Sequence, residues 1–443
     1  MTTKTPSDGL NSHMHFITPS YPHQLLNLFP GNSFLILHSF LLFSSLLFPI
    51  ISLSTAQTSF RPKALLLPVT KDSSTLQYLT QINRRTPLVP IKLTLDLGSA
   101  FLWVDCEQDN SVTHSDKAGV LAQDVVAIQS NDGSKPGRVV SVPNLLFTCG
   151  SSFLLKGLAS GVKGMAGLGR TNMGLPSQFS AAFNFHRKFA ICLSSSTRSN
   201  GVVFFGDGPY MFPPGNFDES KSLTYTPLFI NPVSTAGSFF PREKSTEYFI
   251  GVKSIKIDNQ DVPLNTLLLS IDSKGYGGTK ISTVKPYTVL ESSIYNSMVN
   301  AFVKSLGNHV KRVAAVPLFG ACFDSRKIGS TPVGPGVPTI NLVLQSESVY
   351  WTIYGANSMV EVGKDVLCLG FLDGGHILSH RCPPLTLCCR TWWLGGYLEL
   401  TLTGGGCQGC DVFVIRDKGG REVHKLSFHF HWKVPIGRKS SSD

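Results

Sequence analysis

Charge is scarce in this chain: Asp, Glu, Lys and Arg together make up 15% of its 443 residues, against 42% hydrophobic ones. That balance excludes an intrinsically disordered chain and a coiled coil, both of which need charge-rich sequence. Long amphipathic helices are short of room too, because 41 Gly and 27 Pro punctuate the chain about every seven residues. Such a rhythm belongs to short strands and turns. No Asn-x-Ser/Thr sequon occurs, so the usual acceptor for N-linked sugar is missing. The length is about three times the ~150-residue domain prior, which excludes one small module and predicts two globular lobes.

Positive charge exceeds negative, with 39 Lys and Arg against 28 Asp and Glu, a net charge of +11. A field of that sign attracts nucleic acid, acidic lipid, acidic polysaccharide or an acidic protein. The basic residues are scattered rather than gathered in a stripe with interleaved aromatics, so no nucleic-acid partner is expected. One long apolar run exists, FLILHSFLLFSSLLFPIISL at 34–53, and the small residues Ser54, Thr55 and Ala56 follow it. The pattern predicts an N-terminal extension and signal peptide over 1–56, cleaved after Ala56. At about 20 residues the run could also anchor the chain in a bilayer if left uncleaved. The absence of a basic stop-transfer cluster favours secretion, with no stable membrane association after cleavage. In an oxidising compartment the ten cysteines read first as disulfides. Five are dispersed (Cys106, Cys149, Cys192, Cys322, Cys368) and five crowd the tail (Cys382, Cys388, Cys389, Cys407, Cys410).

From residue 64 onward short apolar or alternating runs follow one another: ALLLPVT, LQYLTQI, LVPIKLTLDL and FLWVDC, then RVVSVPNLLFTCG, GMAGLGR, RKFAICL and GVVFFGDG. Each reads as a strand. A Gly- and Pro-rich segment at about 208–222 reads as a linker, after which YTPLFINP resumes the strand pattern. The best helix lies over 292–306, where Tyr295, Met298, Ala301 and Phe302 fall at helical spacing. The expected domains are therefore a first lobe over 57–210, a second lobe over 211–375 and a Cys- and Gly-rich tail over 376–443.

Asp96-Leu97-Gly98-Ser99 ends the apolar strand IKLTL and precedes Phe101-Leu102-Trp103-Val104. A tight Gly-containing turn after a buried strand can hold a carboxylate at the base of a cleft. A second carboxylate that shares a proton with it then activates water for attack on a peptide carbonyl. Together with FRPKALLLPVTKD, TLDLGSAFLWVDC, GVKGMAGLGRTNMGLPSQF, YFIGVKSIKID, GGTKIST, GACFDS and VLCLGFLDGG, this motif resembles the plant pepsin-like aspartic protease superfamily. Within it the chain is most similar to the branch of basic 7S globulin, dermal glycoprotein and xylanase-inhibitor-like proteins. The resemblance runs over about 60–375 and implies an all-β, bilobal pepsin-like fold around a cleft.

The same resemblance marks three departures. Where the second catalytic Asp should follow the GGT turn, the chain reads Lys280-Ile281-Ser282-Thr283-Val284-Lys285, so Ser282 stands at the acid position and Asp96 is a remnant first acid. An alcohol titrates far above a carboxyl and cannot share that proton. Leu97 also replaces a Thr whose hydroxyl would bond across the two loops. Two other acids, in Asp272-Ser273-Lys274-Gly275 and Asp373-Gly374-Gly375, read as turns. The stretch from Asp96 to Asp124 lacks several tens of residues found in relatives, including the first flap strand, which predicts that Cys106 has lost its family partner. After Gly375 the family pattern ends and HILSHRCPPLTLCCRTWW follows, with Leu394-Gly395-Gly396-Tyr397 as a displaced echo at best. Closure of the second lobe is then an open question.

The resemblance implies a disulfide between Cys322 and Cys368, worth about 3 to 4 kcal/mol for a loop of that length. Arg312, in HVKRVAAVPLFGACF, lies in a region resembling an inhibitory loop of the family. The plain alternative is a solvated surface arginine. Two further motifs are set aside. Cys407 and Cys410 followed by His424 and His429 approximate a zinc spacing, but a secreted, Cys-rich tail favours disulfides, and no metal or cofactor is expected. GMAGLGR suggests a phosphate loop, but no Lys-Ser/Thr follows it. The implied function is a secreted protein without peptidase activity that binds a glycoside hydrolase, an endoglucanase or a xylanase, through a cation matched to the target's paired carboxylates. An active aspartic endopeptidase and a basic seed-storage-like globulin are the alternatives.

Overall fold

The computed structural model describes residues 60–106, 119–132, 135–194, 197–211, 218, 224–234, 243–375, 410–416 and 425–428. The signal run, the zinc-spaced Cys407, His424 and His429, and the Leu394–Tyr397 echo lie outside them. Residues Arg61–Asp443 form one compact unit.

The first lobe begins with a meander of β1 (Ala64–Lys71), β2 (Tyr78–Arg84) and β3 (Val89–Asp96), paired antiparallel through Val69↔Thr80 and Leu79↔Thr94. Alternation explains β1, whose Leu65, Leu67 and Val69 all point into the core. Asp72 makes the turn into β2, its carboxylate accepting the amides of Ser74 and Thr75 at 3.1 and 2.8 Å. After β4 (Trp103–Asp105), a long hairpin of β5 (Leu121–Asn131) and β6 (Pro136–Gly150) returns to the start of the lobe. There β5 pairs with β1 and β2, closing the sheet on itself like a barrel.

β7 (Gly164–Gly167) runs parallel to β3 with Gly167 opposite Asp96, so GMAGLGR is the return strand that flanks the Asp96 loop. A Cβ at Gly167 would lie 2.2 Å from the Phe101 carbonyl oxygen. Glycine is there to let two backbones pass, not to cradle a phosphate. β8 (Lys188–Ser194) and β9 (Gly201–Gly206) complete the lobe.

The second lobe opens with β10 (Thr224–Phe229) and β11 (Tyr248–Ile250), which pairs with the strand Thr279–Ile281 through Tyr248↔Ile281. A separate four-stranded sheet holds Gln260–Asp261, Ser254–Ile257, Ile340–Ser346 and Val349–Ile353 in that order. The helix Ser292–Leu306 buries Ile294, Met298, Phe302 and Leu306 on one face. Glu291 caps its N-terminus by accepting the amides of Ser293 and Ile294, and Gly307 ends it at φ 78°.

Two segments beyond the second lobe join the sheet: Cys410–Arg416 pairs along the whole of β8, and Lys425–Phe428 lies between that strand and β10. These strands bridge the two lobes into a sheet of fourteen described strands and cover edges of β8 and β10 that would otherwise stand open. Cys106, expected to have lost its family partner, is not left unpaired: it forms a disulfide with Cys149, where β4 and β6 run parallel through Val104↔Cys149.

Candidate functional site

The Asp96 loop is positioned from behind. Leu93 and Leu95 are wholly buried, so β3 delivers Asp96 at a point where the backbone turns away from the core. The Gly98 amide donates to Asp96 Oδ1 at 2.8 Å, and Leu97 fills the core where a hydroxyl would otherwise reach across.

The strand Thr279–Ile281 delivers Ser282 in the matching way, with the Val284 amide donating to the Ser282 hydroxyl at 3.2 Å. The two loops are locked by one residue, Thr283. Its hydroxyl donates to the Leu95 carbonyl at 2.7 Å and accepts the Leu97 amide at 3.0 Å. Only half of a reciprocal lock is present, since Leu97 has no hydroxyl to return the bond. Thr283 thus ties the segment after Thr279–Ile281 to the Asp96 loop, and among the described residues no strand flanks Thr279–Ile281 as β7 flanks β3.

Sequence reasoning missed the strongest electrostatic feature of the site. Glu247, just before β11, reaches to the Asp96 turn and binds Lys280, with Lys280 Nζ 2.5 Å from Glu247 Oε1. The pair is buried: the lysine side chain is 3% exposed and the glutamate 12%. A Cβ at Gly98 would sit 3.4 Å from Glu247 Oε1 and 3.7 Å from Asp96 Oδ1, so both carboxylates border one point. Ser245 donates its hydroxyl to Glu247 Oε2 at 3.2 Å. Neighbouring bonds hold the segment against the first lobe: the Thr246 hydroxyl donates to Gly98 O at 2.7 Å, Arg170 Nη2 to Glu247 O at 2.7 Å and the Tyr248 hydroxyl to Leu168 O at 2.8 Å.

Burial is the main influence raising the Asp96 carboxyl above its ordinary range, and the Glu247 charge adds to it. The Gly98 amide, first, and then the Ser99 amide and Lys280 oppose the rise. Chemically, the cleft holds two carboxylates and an ammonium, not two carboxyls sharing a proton. Lys280 lies in the fragment GGTKIST, but nothing in the sequence said that Glu247 would meet it.

The remaining candidates lie elsewhere. Asp272 closes a turn, its Oδ1 accepting the amides of Lys274 and Tyr276. Asp373 accepts the Ser292 hydroxyl and the Gly375 amide. Cys322 and Cys368 form a disulfide between the strands Cys322–Asp324 and Val366–Leu369. Arg312 is exposed on a short strand paired with Phe323, and its Nη2 donates to Gly320 O at 2.8 Å. That bond spans a loop whose tip is a turn closed by Phe319 N to Val316 O at 2.8 Å. Leu318 in that turn sits at φ 83° and is 73% exposed. A leucine there is strained and puts apolar surface into water.

The family model described as xylanase inhibitor N-terminal matches residues 107–207, and the one described as xylanase inhibitor C-terminal matches 247–381. A Nicotiana benthamiana protein named "Probable aspartic proteinase GIP2" is 57% identical over 76% of this chain and 87% of its own length. Basic 7S globulin of Glycine max is 32% identical over 77% of this chain and 87% of its own length. Among solved structures, edgp superposes with a TM-score of 0.72 at 46% identity, covering 84% of this chain and 95% of that one. Soybean basic 7S globulin does so at 0.64 and 28%, covering 83% and 94%. With the bilobal β fold and the Asp96 loop already in place, these matches show that the chain belongs to the xylanase-inhibitor-like and basic 7S globulin branch of the pepsin-like aspartic protease family.

Proposed function

We propose that this protein is a secreted, non-proteolytic binder that blocks a cell-wall-degrading glycoside hydrolase of the endoglucanase or xylanase class. One observation carries the loss of proteolysis: the loop opposite Asp96 presents the Ser282 alcohol, while the nearby acid, Glu247, is bound by Lys280. A peptidase of this class needs two carboxyls that share one proton, so that one acts as base while the other acts as acid. Glu247 cannot take the second part while an ammonium holds its oxygen.

The binding half of the proposal rests on the Arg312 loop and on the family. An exposed guanidinium, steadied by Gly320, beside the apolar tip at Leu318 suits a cleft in which two carboxylates flank a sugar-binding surface. The net charge of +11 would steer the protein toward such an acidic cleft. The test is stoichiometric inhibition of a xyloglucan endoglucanase and a xylanase. Arg312→Ala should weaken the complex by about 2 kcal/mol, roughly 30-fold in Kd, as for a central interface arginine. No inhibition of either enzyme at micromolar protein overturns the proposal.

A second reading is favoured by the raised Asp96 carboxyl with Glu247 beside it: residual acid-dependent peptidase activity. Cleavage of a denatured protein in acid that disappears in Asp96→Asn would establish that reading in place of the first.

A further inference from the structure

On the outer face of the first lobe lies a groove of about 430 Å³, within the size range of small-molecule sites. A parting of three strands makes it. β1 pairs with β5 up to Leu66↔Gln129 and with β2 from Val69↔Thr80 onward, while β2 meets β5 at Asn83↔Ala127. Between those points Leu67 and Pro68 of β1, Gln81 and Ile82 of β2 and Ile128 of β5 have no register partner across the junction. Pro68 has no N–H to give a ladder and suits the opening, and its carbonyl accepts the Thr80 hydroxyl at 2.7 Å. One end of the groove is walled by Leu79, which packs beneath Ala159 and Val162.

Residues opposite each other in register share a face of the sheet, so Leu66, Gln129 and Val139 form one row across β1, β5 and β6. Gln81 and Asn83, two positions apart on β2, point to one side together. Gln81 is exposed and Asn83 half-buried, and both line the groove. Among the described residues neither carboxamide hydrogen-bonds to the protein, so each brings a free carbonyl acceptor and a free NH2 donor. Gln129, held by its bond to Gly137 O, adds a third carboxamide. Val139, 56% exposed, and the exposed Pro68 ring supply apolar surface beside them. Lys92 is the one ionisable residue in the described lining. Its ammonium donates to Ser160 O at 3.0 Å, and its charge acts on Asp72.

We propose that this groove binds a short neutral oligosaccharide, with Gln81 and Asn83 bonding neighbouring hydroxyls and Pro68 and Val139 covering the apolar face of a sugar ring. A hydroxyl both gives and takes hydrogen bonds, as a carboxamide does, so the two side chains can satisfy adjacent hydroxyls without any charge. An acidic ligand would meet one cation only, Lys92, and that ammonium is already engaged by Ser160 O. At a water's share of roughly 30 Å³ the groove holds about fourteen water-sized groups, room for one hexose ring and part of a second. The site is separate from the Arg312 loop and does not depend on the role proposed for that loop.

The experiment is an NMR titration of the intact, isotope-labelled protein with cellobiose and xylobiose, read at the side-chain amide signals of Gln81 and Asn83. Digalacturonate is the charged control. Both neutral disaccharides should shift those signals saturably, with a Kd of about 1 mM, as suits an open groove filled by few contacts. Gln81→Ala and Asn83→Ala should each weaken cellobiose binding about five- to tenfold, the loss of one hydrogen bond. Gln81 is exposed, so its variant should keep the wild-type melting temperature, which separates lost binding from lost folding. Arg312→Ala should leave the sugar titration unchanged. Failure of both disaccharides to shift either signal at about 10 mM overturns the proposal, and so does a cellobiose Kd that neither substitution changes. Tighter binding of digalacturonate than of cellobiose overturns the neutral ligand class.

Discussion

Breaking the Glu247–Lys280 pair tests the electrostatics of the site most directly. In Glu247→Gln the Lys280 ammonium, 3% exposed, keeps its burial and loses the opposite charge 2.5 Å away. Removing one member of a buried pair costs about 3 to 5 kcal/mol, because the remaining charge stays desolvated. Lys280→Met leaves the Glu247 carboxylate instead, which Ser245 and water at its 12% exposed edge can partly satisfy, so the cost should fall near the lower end. Removing both charges in Glu247→Leu/Lys280→Met should leave the protein more stable than Glu247→Gln, because no buried charge is then left unpaired. The assay is urea unfolding at neutral pH, comparing midpoints at unchanged m-values. Carbon-detected titration of Asp96 supplies an independent reading. Losing the Glu247 charge should lower the Asp96 carboxyl, and losing Lys280 should raise it, because the two act on it with opposite sign. A cost below about 1 kcal/mol for Glu247→Gln, the range of solvent-screened pairs, would refute the picture of a sealed ion pair at the base of the cleft.

Three further outcomes follow from the geometry. Asp96 binds its proton more tightly folded than unfolded, so it favours folding in acid and costs stability as pH rises through its elevated value. Asp96→Asn should therefore raise the melting temperature at neutral pH and lose that advantage below about pH 4, the unfolded carboxyl range. Thr283→Val should cost about 2 to 3 kcal/mol in chemical denaturation, since it strands the buried Leu97 amide and the Leu95 carbonyl together. Non-reducing digestion should yield a crosslinked peptide joining Cys106 and Cys149, and Cys149→Ser should cost about 4 kcal/mol for their separation of 43 residues.

The strands that carry Asp96 and Ser282 were readable because a buried strand writes itself as a local apolar run ended by a turn. IKLTL before Asp96 and the helix over Ser292–Leu306 both have spacing that a window of a dozen residues captures. What escaped depended on chain segments far apart. Glu247 lies at the mouth of an ordinary strand, and only the packing of β11 beside Thr279–Ile281 brings it to Lys280 and the Asp96 turn.

The tail shows the limit from the other side. The family model described as xylanase inhibitor C-terminal matches as far as residue 381, yet beyond it Cys410–Arg416 and Lys425–Phe428 take places in the sheet between β8 and β10. Backbone amides and carbonyls form those ladders, and a side-chain motif carries no record of them. Cys106 and Cys149 likewise meet because β4 and β6 run side by side, which residue spacing does not encode. The amino-acid sequence alone thus determined the family and the class of fold, both properties of short windows with strong hydrophobic or motif constraints. Tertiary structure decided which charges meet, which cysteines pair and what fills the edge between the lobes, because those depend on distances that exist only once the chain has closed.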